Sequence, residues 1–480
     1  IRTGLEFSSR PSVMSTALQW TAYVLLGYLV VLNTAYTILA VLTYRAVFRY
    51  RRRLAAYVPE EALGADAVPP ITLIAPAYNE AATCIASTRG FLNTDYPNIE
   101  VLVVNDGSTD ATLDRLHDEF DLQPASRPPT ASLSTEPVRQ VYQSQIHPNL
   151  WVIDKENGGK ADALNAGINF CDSPFFCAVD ADTLVEGDGL IRMVRPFLEE
   201  TATVAVGGIV RVANGCTVRS GGVQEVSMPK KWLPKMQVLE YLRAFYYGRV
   251  GWDALGAMLI ISGAFGLFRR ETVVDAGGYR TDTVGEDMEL VVRMHRRLRE
   301  AREDYRVRFV PDPVAWTEVP STLRTLGRQR DRWQRGLADT MIRHQRMLFN
   351  PRYGVVGLLA YPFFYVLETF GPILELAGYI TFAVALVAGR FSGPFLLAFF
   401  LVAFMLGMAL SLSAVALEEL TFRRYEKTSD LAQLFLLPAV EVFGYRQLNA
   451  WWRIKGLWSY LRSNEEWGVM ERTGFDTSDE

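Results

Sequence analysis

Two aspartates stand two residues apart in VDADT, Val179–Thr183, directly after an apolar run. Alternate residues of an extended strand point to the same face, so Asp180 and Asp182 present their carboxylates together where the strand ends. Hard divalent cations such as Mg²⁺ and Mn²⁺ prefer oxygen ligands, and a cation held there would bridge phosphate oxygens. A solvated turn explains the pair when it is taken alone, so the metal-site interpretation depends on the surrounding motifs.

A second motif supplies a positive charge. In ENGGKADALNAG, Glu156–Gly167, the pair Gly158 and Gly159 allows backbone N–H groups to approach an anion closely. Lys160 follows at the start of a predicted helix and adds a compact positive charge. This combination suits a diphosphate.

A third motif brings two adjacent carboxylates, Glu286 and Asp287, to the start of a predicted amphipathic helix in TVGEDMELVVRMH. Acidic residues at that position are favourable because of the helix dipole, and this is their structural interpretation. The chemical interpretation is a general base that removes a proton from an attacking hydroxyl.

The stretch GRQRDRWQRG, Gly327–Gly336, contains four arginines and one tryptophan. If it is helical, Gln329, Arg332 and Trp333 lie on one face at helical spacing. The guanidinium of Arg332 then suits a phosphate, and the ring of Trp333 offers a flat surface to a sugar or a base. The alternative is a basic belt that reaches anionic lipid headgroups, and both interpretations can hold for different arginines.

These motifs lie among short apolar runs between about residues 70 and 347. The runs ITLIAPAY, IEVLVVND, LWVIDK and FFCAVDAD each end in a polar or acidic cluster. Such runs, alternating with helices, predict a mostly parallel sheet whose ligands bind beyond the carboxyl ends of the strands. Asp106, in NDGSTD after the second run, is either a turn residue or a ligand contact. The Pro- and Ser-rich segment 122–137 is predicted to be a flexible or surface-wrapping loop.

Long apolar blocks flank this region. Residues 11–44 contain no Asp, Glu, Lys or Arg, and this run is longer than the roughly 20 residues that cross a bilayer. The basic run Arg45–Arg53 follows and predicts a cytoplasmic location for the central region. The predicted organisation is an extracytoplasmic tail (1–15), a transmembrane helix (16–44), a basic linker (45–69), the central domain (70–347), an interfacial helix (348–370), two transmembrane helices (371–389 and 391–417), interfacial helices (418–462) and a cytoplasmic tail (463–480).

Several functional classes are excluded by composition and pattern. The formal charge of −4 argues against a nucleic-acid partner. No GxGxxG follows the first apolar run and no GxxxxGK[ST] occurs, so a dinucleotide enzyme and a P-loop ATPase are both disfavoured. The four cysteines have no CxxC spacing and are expected to be free thiols.

The ordered motifs PAYNE, NDGSTD, NGGKADALNAG, VDADT, GED and QRDRW span about Ile71–Arg346. Together they resemble the membrane-integrated family-2 glycosyltransferases, which include bacterial synthases of cellulose, hyaluronan and poly-N-acetylglucosamine. The Q-[QR]-x-R-W element is typical of the members that make polymers. The resemblance implies an α/β fold, with a cytoplasmic domain of the GT-A (Rossmann-like) type and a helical transmembrane region, in a multi-pass protein of the bacterial inner (plasma) membrane.

The resemblance also implies a role for each motif. Gly285 stands where the family usually has the threonine of T-E-D. By this resemblance Tyr78, Glu80 and Asp106 would contact the uridine, Lys160 would bind the diphosphate, Asp180 would face the nucleotide side, and Asp182 would bind Mg²⁺ or Mn²⁺. Asp287 would be the catalytic base, with Glu286 beside it. The acceptor and diphosphate end of the cleft would be lined by Gln329, Arg332 and Trp333, with further acceptor contacts from Ser262 and Gly263, and Trp467 and Gly468 would cover the site.

The function implied is a processive, inverting β-glycosyltransferase that uses a UDP-sugar, of glucose or N-acetylglucosamine type, to extend an extracellular polysaccharide. A single transfer to a lipid or short acceptor is one alternative. A non-catalytic nucleotide-sugar sensor within a polysaccharide assembly is another, from a different class. The partners expected are the donor, the growing glycan and the lipid bilayer. A second copy of the chain or an accessory membrane subunit is also expected, because three spans are few for a channel.

Overall fold

The computed structural model describes residues 13–55, 68–219, 221–388 and 393–462. Most of the predicted N-terminal tail and part of the basic linker therefore lie outside the described residues. The predicted C-terminal tail, with Trp467 and Gly468, lies outside them as well.

Four of the twelve strands in the described residues follow the expected apolar runs. In chain order the strands are β1 (Ile71–Ala77), β2 (Ile99–Asp106), β3 (Leu122–Pro124), β4 (Val138–Ser144), β5 (Leu150–Lys155), β6 (Phe175–Val179), β7 (Leu184–Val185), β8 (Thr203–Val212), β9 (Thr217–Arg219), β10 (Gly222–Glu225), β11 (Phe265–Arg269) and β12 (Arg306–Thr317). Within the described ranges one sheet has the order β3-β4-β5-β2-β1-β6-β11-β8-β12-β7, and β9 and β10 form a separate hairpin.

The four runs identified from the sequence are β1, β2, β5 and β6, and they are neighbours in parallel pairing. The remainder of the sheet is mixed, because β4 is antiparallel to β5 and β11 is antiparallel to both β6 and β8. Seven of the ten strands nevertheless run in one direction, since β12 is parallel to β8, and only β4, β7 and β11 run in the other. The prediction of a mostly parallel sheet therefore holds, and it missed these three reversed strands. The turn between β4 and β5 is short, and a short turn joins strands of opposite direction, whereas parallel neighbours need a long crossover.

The α-helices supply the remaining layers. They are α1 (Val13–Ala55), α2 (Cys84–Leu92), α3 (Thr112–Phe120), α4 (Lys160–Asn169), α5 (Gly189–Glu199), α6 (Trp232–Phe245), α7 (Gly251–Asp253), α8 (Arg270–Ala276), α9 (Glu286–Ala301), α10 (Leu323–Arg343), α11 (Gly371–Ala388), α12 (Gly393–Phe400), α13 (Gly407–Thr421), α14 (Thr428–Glu441) and α15 (Tyr445–Leu461). Turns of π-helix occur at Tyr246–Val250, Val356–Ala360, Phe363–Thr369 and Leu401–Leu406, and 3₁₀ turns at Gln345–Met347 and Pro351–Tyr353.

Two described helices, Trp20–Leu54 and Leu397–Thr421, are long and apolar enough to cross a membrane. The segments Val356–Thr369 and Gly371–Val384 meet at 47° and could together form a third, bent span or a re-entrant loop. The first of these segments lies in the range predicted to be interfacial, 348–370. Which helices cross the bilayer therefore stays a prediction.

The Pro- and Ser-rich segment wraps over the surface of the domain, as one of its two interpretations predicts. The backbone N–H of Leu133 donates to Asn169 Oδ1 at 2.8 Å. Arg127 pairs with Glu100 at 2.7 Å and lies 4.7 Å from the centre of the Trp151 ring. These contacts tie the segment to α4 and to the sheet.

Buried ion pairs join the sheet to the apolar helices. Arg211, near the end of β8, pairs with Glu418 of α13, and both side chains are 3% exposed. The Tyr246 hydroxyl also donates to Glu418, at 2.6 Å. Arg243 of α6 pairs with Glu441 of α14 at 2.8 Å. The position of β8 relative to α13 therefore depends on a pair of charges shielded from water, whereas the Arg243 side chain, which joins α6 to α14, is 24% exposed.

We expect Arg211→Met to lower the free energy of unfolding by about 3 to 5 kcal/mol, because it leaves the Glu418 carboxylate buried without its guanidinium partner. Thermal denaturation of the protein in detergent measures this loss. The control is the double variant Arg211→Met/Glu418→Leu, which removes both charges and should recover most of the lost stability. A double variant no more stable than Arg211→Met contradicts the interpretation.

Candidate active site

Four charged side chains from three separate elements meet beyond the carboxyl ends of the parallel strands. Lys160 begins α4, Asp180 follows β6, and Glu286 and Asp287 begin α9. The ammonium of Lys160 donates to Asp180 Oδ1, donates to the carbonyl of Gly263 at 3.2 Å, and lies 3.9 Å from Glu286 Oε1. The structure thus brings together the predicted diphosphate, metal and catalytic residues.

The electrostatics of this cluster keep a cation at its centre. Burial opposes the charge of Lys160, but the carboxylates of Asp180 and Glu286 outweigh burial and raise its pKa above the usual value. Burial raises the pKa of Glu286 to about 7, with the Lys160 ammonium opposing the shift and Asp287 adding to it. Lys160 is therefore charged at neutral pH and able to meet an anionic ligand.

The carboxylate of Asp287 is held by backbone groups on both oxygens. Its Oδ2 accepts from the N–H of Gly263 at 3.0 Å, and its Oδ1 accepts from the N–H of Met288 at 2.7 Å. A Cβ on Gly263 would lie 3.2 Å from Lys160 Nζ and 3.3 Å from Asp287 Oδ2, so a glycine permits this close packing. Ser262 Oγ accepts from the N–H of Ala264 at 3.3 Å, and this contact stabilises the same loop.

Helix α10 approaches the cluster through a contact between two glycine backbones. A Cβ on Gly285 would lie 2.7 Å from the Cα of Gly336, and a Cβ on Gly336 would lie 2.8 Å from the Cα of Gly285. No side chain fits between α10 and the start of α9, and this close packing explains why a glycine begins the GED motif.

Burial lowers the pKa of Arg332, and the carboxylates of Glu286 and Asp180 oppose this effect. The guanidinium of Arg332 therefore lies within electrostatic reach of the cluster.

The other predicted residues of α10 differ in their exposure. Gln329 is 8% exposed and Trp333 is 44% exposed. Arg330 and Arg335 are also buried and pair with Glu240 and Asp331, at 2.7 and 2.8 Å. The lipid-headgroup interpretation is therefore wrong for these two arginines. Their ion pairs with acidic side chains compensate for burial of the guanidinium charge, whereas Arg324 and Arg328 are exposed.

Tyr78 and Glu80 follow β1, beside the loop after β2. The side chain of Tyr78 is exposed, and Glu80 Oε2 accepts from Thr83 Oγ1 at 2.7 Å. Between them, Asn79 Oδ1 accepts from the N–H of Thr109 at 2.8 Å and so joins the loops that follow β1 and β2. These contacts leave the ring of Tyr78 available to a ligand, and its uridine contact stays a prediction.

Asp106 is buried and fixes the turn that precedes Lys160. Its carboxylate accepts from Lys155 Nζ at 2.7 Å, from Gly158 N at 3.0 Å and from Gly159 N at 2.8 Å. The two glycine N–H groups predicted to approach a diphosphate thus bind a side-chain carboxylate instead. That part of the prediction is wrong, because a residue fifty positions earlier in the chain supplies the anion. A uridine contact by Asp106 remains a prediction.

The chemistry of the remaining donors fits a divalent metal ion that a substrate completes. Asp182 is 5% exposed, and with Asp180 it offers hard carboxylate oxygens at the end of β6. Within the described ranges no group of three or more His, Cys, Asp and Glu side chains could hold a metal ion. Mg²⁺ is commonly held by one or two carboxylates together with substrate phosphates, so two aspartates are a sufficient protein contribution.

Three residues near the site were not predicted, namely Lys155, Glu240 and Arg249. Lys155 is fully buried between Asp106 and Asp162, with its ammonium 2.6 Å from Asp162. Burial lowers the pKa of Arg249, and Asp287 is the largest influence opposing it. For Glu240 and Arg249 the available signal was the presence of charged residues inside the otherwise apolar run LEYLRAFYYGRV, and for Lys155 it was a lysine at the end of the apolar run LWVIDK.

Comparison with known proteins agrees with this geometry. The protein-family model described as "Glycosyl transferase family 2" matches residues 72–126, and the family model described as "Glycosyl transferase family group 2" matches residues 175–412. Together these matches cover more than half of the chain and include Asp106, Asp180 and α9. The chain belongs to glycosyltransferase family 2.

Two relatives are synthases of one polysaccharide. Poly-β-1,6-N-acetyl-D-glucosamine synthase of Staphylococcus aureus (strain COL) is 28% identical over 282 residues, 58% of each chain. The enzyme of the same name from Staphylococcus epidermidis is 27% identical over 277 residues, covering 58% of this chain and 56% of the relative. The match thus spans a little over half the length of these curated relatives.

A solved structure shares the fold. The mannosyltransferase PcManGT from Pyrobaculum calidifontis, in complex with GDP-Man and Mn²⁺, has a TM-score of 0.52 and 20% sequence identity. The alignment covers 92% of this chain and all of that chain. The α/β domain of this family-2 glycosyltransferase is of the GT-A type, as its motifs imply.

We expect Gly285→Ala and Gly336→Ala to lower the rate of sugar transfer about 100-fold each, since a Cβ at either position separates α9 from α10 and displaces Arg332 from Asp287. Rates of nucleotide release from purified variants measure this loss. Gly248→Ala is the matched control, because a Cβ there meets nothing within 4 Å. Wild-type rates in the Gly285 and Gly336 variants would show that the glycine contact does not set the site geometry.

Proposed function

We propose that this family-2 glycosyltransferase is a processive, inverting β-glycosyltransferase that uses a UDP-sugar, of glucose or N-acetylglucosamine type. The cluster of Lys160, Asp180, Glu286 and Asp287, with Arg332 beside it, is the observation that supports this function most. It combines cations for a diphosphate with a positioned carboxylate for an acceptor hydroxyl. The names of the staphylococcal relatives support N-acetylglucosamine as the first donor to test.

The proposed reaction is a single displacement. An acceptor hydroxyl oxygen forms a bond to the anomeric carbon while the bond from that carbon to the diphosphate oxygen breaks. The hydroxyl proton passes to the carboxylate of Asp287, and UDP leaves with the bonding electrons. One displacement inverts the anomeric centre, so an α-linked donor gives a β-linked product.

Each charged group has a part in this reaction. Lys160 and Arg332 meet the negative charge that grows on the leaving diphosphate, and preplaced cations of this kind stabilise a transition state strongly. Asp182 and Asp180 would hold Mg²⁺ or Mn²⁺, which supplies further positive charge to the diphosphate when it is bound. Asp287 acts as the base, with Glu286 maintaining the local charge balance. Tyr78, Glu80 and Asp106 would contact the uridine.

The acceptor would occupy the opposite side of the cleft. The exposed ring of Trp333 suits stacking against a sugar. Gln329 lies on the same helix as Arg332, and Ser262 and Gly263 lie on the loop whose backbone donates to Asp287. Extension of an extracellular polysaccharide further requires a multi-pass location in the bacterial inner membrane, with the domain on the cytoplasmic side. The basic run after the first apolar helix supports that orientation. A second copy or an accessory membrane subunit would complete a path for the polymer.

We expect purified protein to release UDP from UDP-N-acetylglucosamine or UDP-glucose in a Mg²⁺- or Mn²⁺-dependent manner and to form high-mass glycan. Asp287→Asn and Asp182→Asn should each lower UDP release about 100- to 1000-fold, because each removes a group that acts in the transition state. Product size by mass spectrometry or gel separates processive synthesis from single transfer.

The matched control is Asp304→Asn, which makes the same chemical change at an exposed carboxylate that pairs with Arg306. It should retain wild-type rates. Products with one added sugar would support single transfer in place of processive synthesis. Absence of UDP release from every donor tested would contradict an enzymatic function and favour the sensor alternative.

A further inference from the structure

The ring of Trp333 has one face covered from inside the protein. The guanidinium carbon of Arg330 lies 4.3 Å from the centre of the ring, and Arg330 itself is 2% exposed. Residues three apart on a helix are neighbours on its surface, so the stacking follows from helical spacing. A cation over an indole face is attracted to it, and the attraction is stronger where water is excluded. Trp333 is nevertheless 44% exposed, so part of the ring remains open to solvent.

Arg330 is in turn fixed by a carboxylate from another helix. Its Nη2 donates to Glu240 Oε2 of α6 at 2.7 Å, and its Nη1 donates to Gln329 Oε1 at 3.3 Å. Glu240 also accepts from the Tyr445 hydroxyl at 2.7 Å and from Asn449 Nδ2 at 3.4 Å, both on α15. A guanidinium bonded in this way has little freedom to turn, so the plane on which Trp333 rests is fixed by α6 and α15.

We propose that Glu240 and Arg330 are positioning residues for the acceptor: they hold the Trp333 ring in one orientation, with its open side presented to the terminal sugar of the glycan. This inference rests on the proposed function, in which Trp333 contacts the acceptor. A ring that can tilt would misalign the acceptor hydroxyl relative to Asp287. Donor binding, which depends on Lys160 and the loops after β1 and β2, would be unaffected.

The same contacts couple the acceptor site to α15. This helix begins with Tyr445 and carries Trp451 and Trp458, which are 48% and 57% exposed. Gly456 of α15 packs on α10, since a Cβ there would lie 2.6 Å from the carbonyl of Asp331. Loss of the Tyr445 hydroxyl should therefore loosen Trp333 in the same direction as loss of Glu240, and to a smaller degree.

The matched control comes from a second acid that joins α10 to α15 without touching the tryptophan. Asp331 accepts from Arg335 Nε at 2.8 Å and from Ser459 Oγ at 3.0 Å. Like Glu240, it pairs with a buried arginine and receives a hydroxyl from α15. Asp331→Asn thus perturbs the same helix interface and leaves the contact between Arg330 and Trp333 in place.

The test compares Glu240→Gln, Arg330→Lys and Tyr445→Phe with Asp331→Asn in the full-length purified protein. The Km for a soluble oligosaccharide acceptor, the Km for the UDP-sugar, and product length are measured, with UDP release in the absence of acceptor as the check that each variant is folded. We expect Glu240→Gln and Arg330→Lys to raise the acceptor Km about tenfold and to shorten the product, because the first weakens the bond that fixes the guanidinium under the ring and the second replaces a planar, forked cation with a compact one that stacks less well. Tyr445→Phe should raise it less, and the donor Km should stay unchanged throughout.

Equal changes in Glu240→Gln and Asp331→Asn would overturn the inference, because they would indicate a general role in packing. An unchanged acceptor Km in Arg330→Lys, or in Trp333→Ala, would also overturn it. These outcomes leave the proposed function standing as long as the wild-type protein releases UDP and extends the acceptor. A wild-type protein that does neither contradicts the proposed function itself, and the inference with it.

Discussion

The ammonium of Lys160 among the carboxylates of Asp180, Glu286 and Asp287 is the interaction on which the site depends. Burial disfavours the charge of Lys160, and the carboxylates of Asp180 and Glu286 outweigh that effect and raise its pKa, whereas burial, with Asp287 adding to it, raises the pKa of Glu286 to about 7. The cluster also forces three elements together, since α4, the end of β6 and the start of α9 each contribute one part of it. A diphosphate can bind here when one of its oxygens replaces a carboxylate as the partner of the Lys160 ammonium.

Much of the surrounding structure serves to place these groups. Asp106 and Lys155 fix the turn before Lys160, and the backbone of Gly263 fixes Asp287. The contact between Gly285 and Gly336 sets the spacing of α9 and α10, and thereby the approach of Arg332. Buried pairs such as Arg211 with Glu418 then join this domain to the apolar helices. Such ion pairs add to the apolar packing that joins the sheet to the helices that could cross a membrane.

The sequence predicted the local part of this structure well. Apolar runs identified β1, β2, β5 and β6, and motif spacing identified the residues that meet at their ends, because both are properties of neighbouring residues. The reversed strands β4, β7 and β11 were not predicted, since strand direction depends on connections that no short pattern encodes.

Contacts between residues that are distant in the chain could not be predicted from the sequence either. Gly158 and Gly159 donate to Asp106, about fifty residues away. Arg330 donates to Glu240, ninety residues away, so this arginine lies inside the protein beneath Trp333 and does not contact lipid headgroups. Residue types and spacing therefore predicted which residues meet in the cluster, and only the folded chain showed which charges pair with one another.

A structure of the protein with an intact UDP-sugar and Mn²⁺ bound, obtained by electron cryomicroscopy in the Asp287→Asn variant, tests the central assignment most directly. We expect diphosphate oxygens within hydrogen-bonding distance of Lys160 Nζ and the Arg332 guanidinium, the metal ion on Asp182, and the anomeric carbon facing residue 287. A nucleotide bound away from Lys160, with the pair between Lys160 and Asp180 intact, would contradict this assignment.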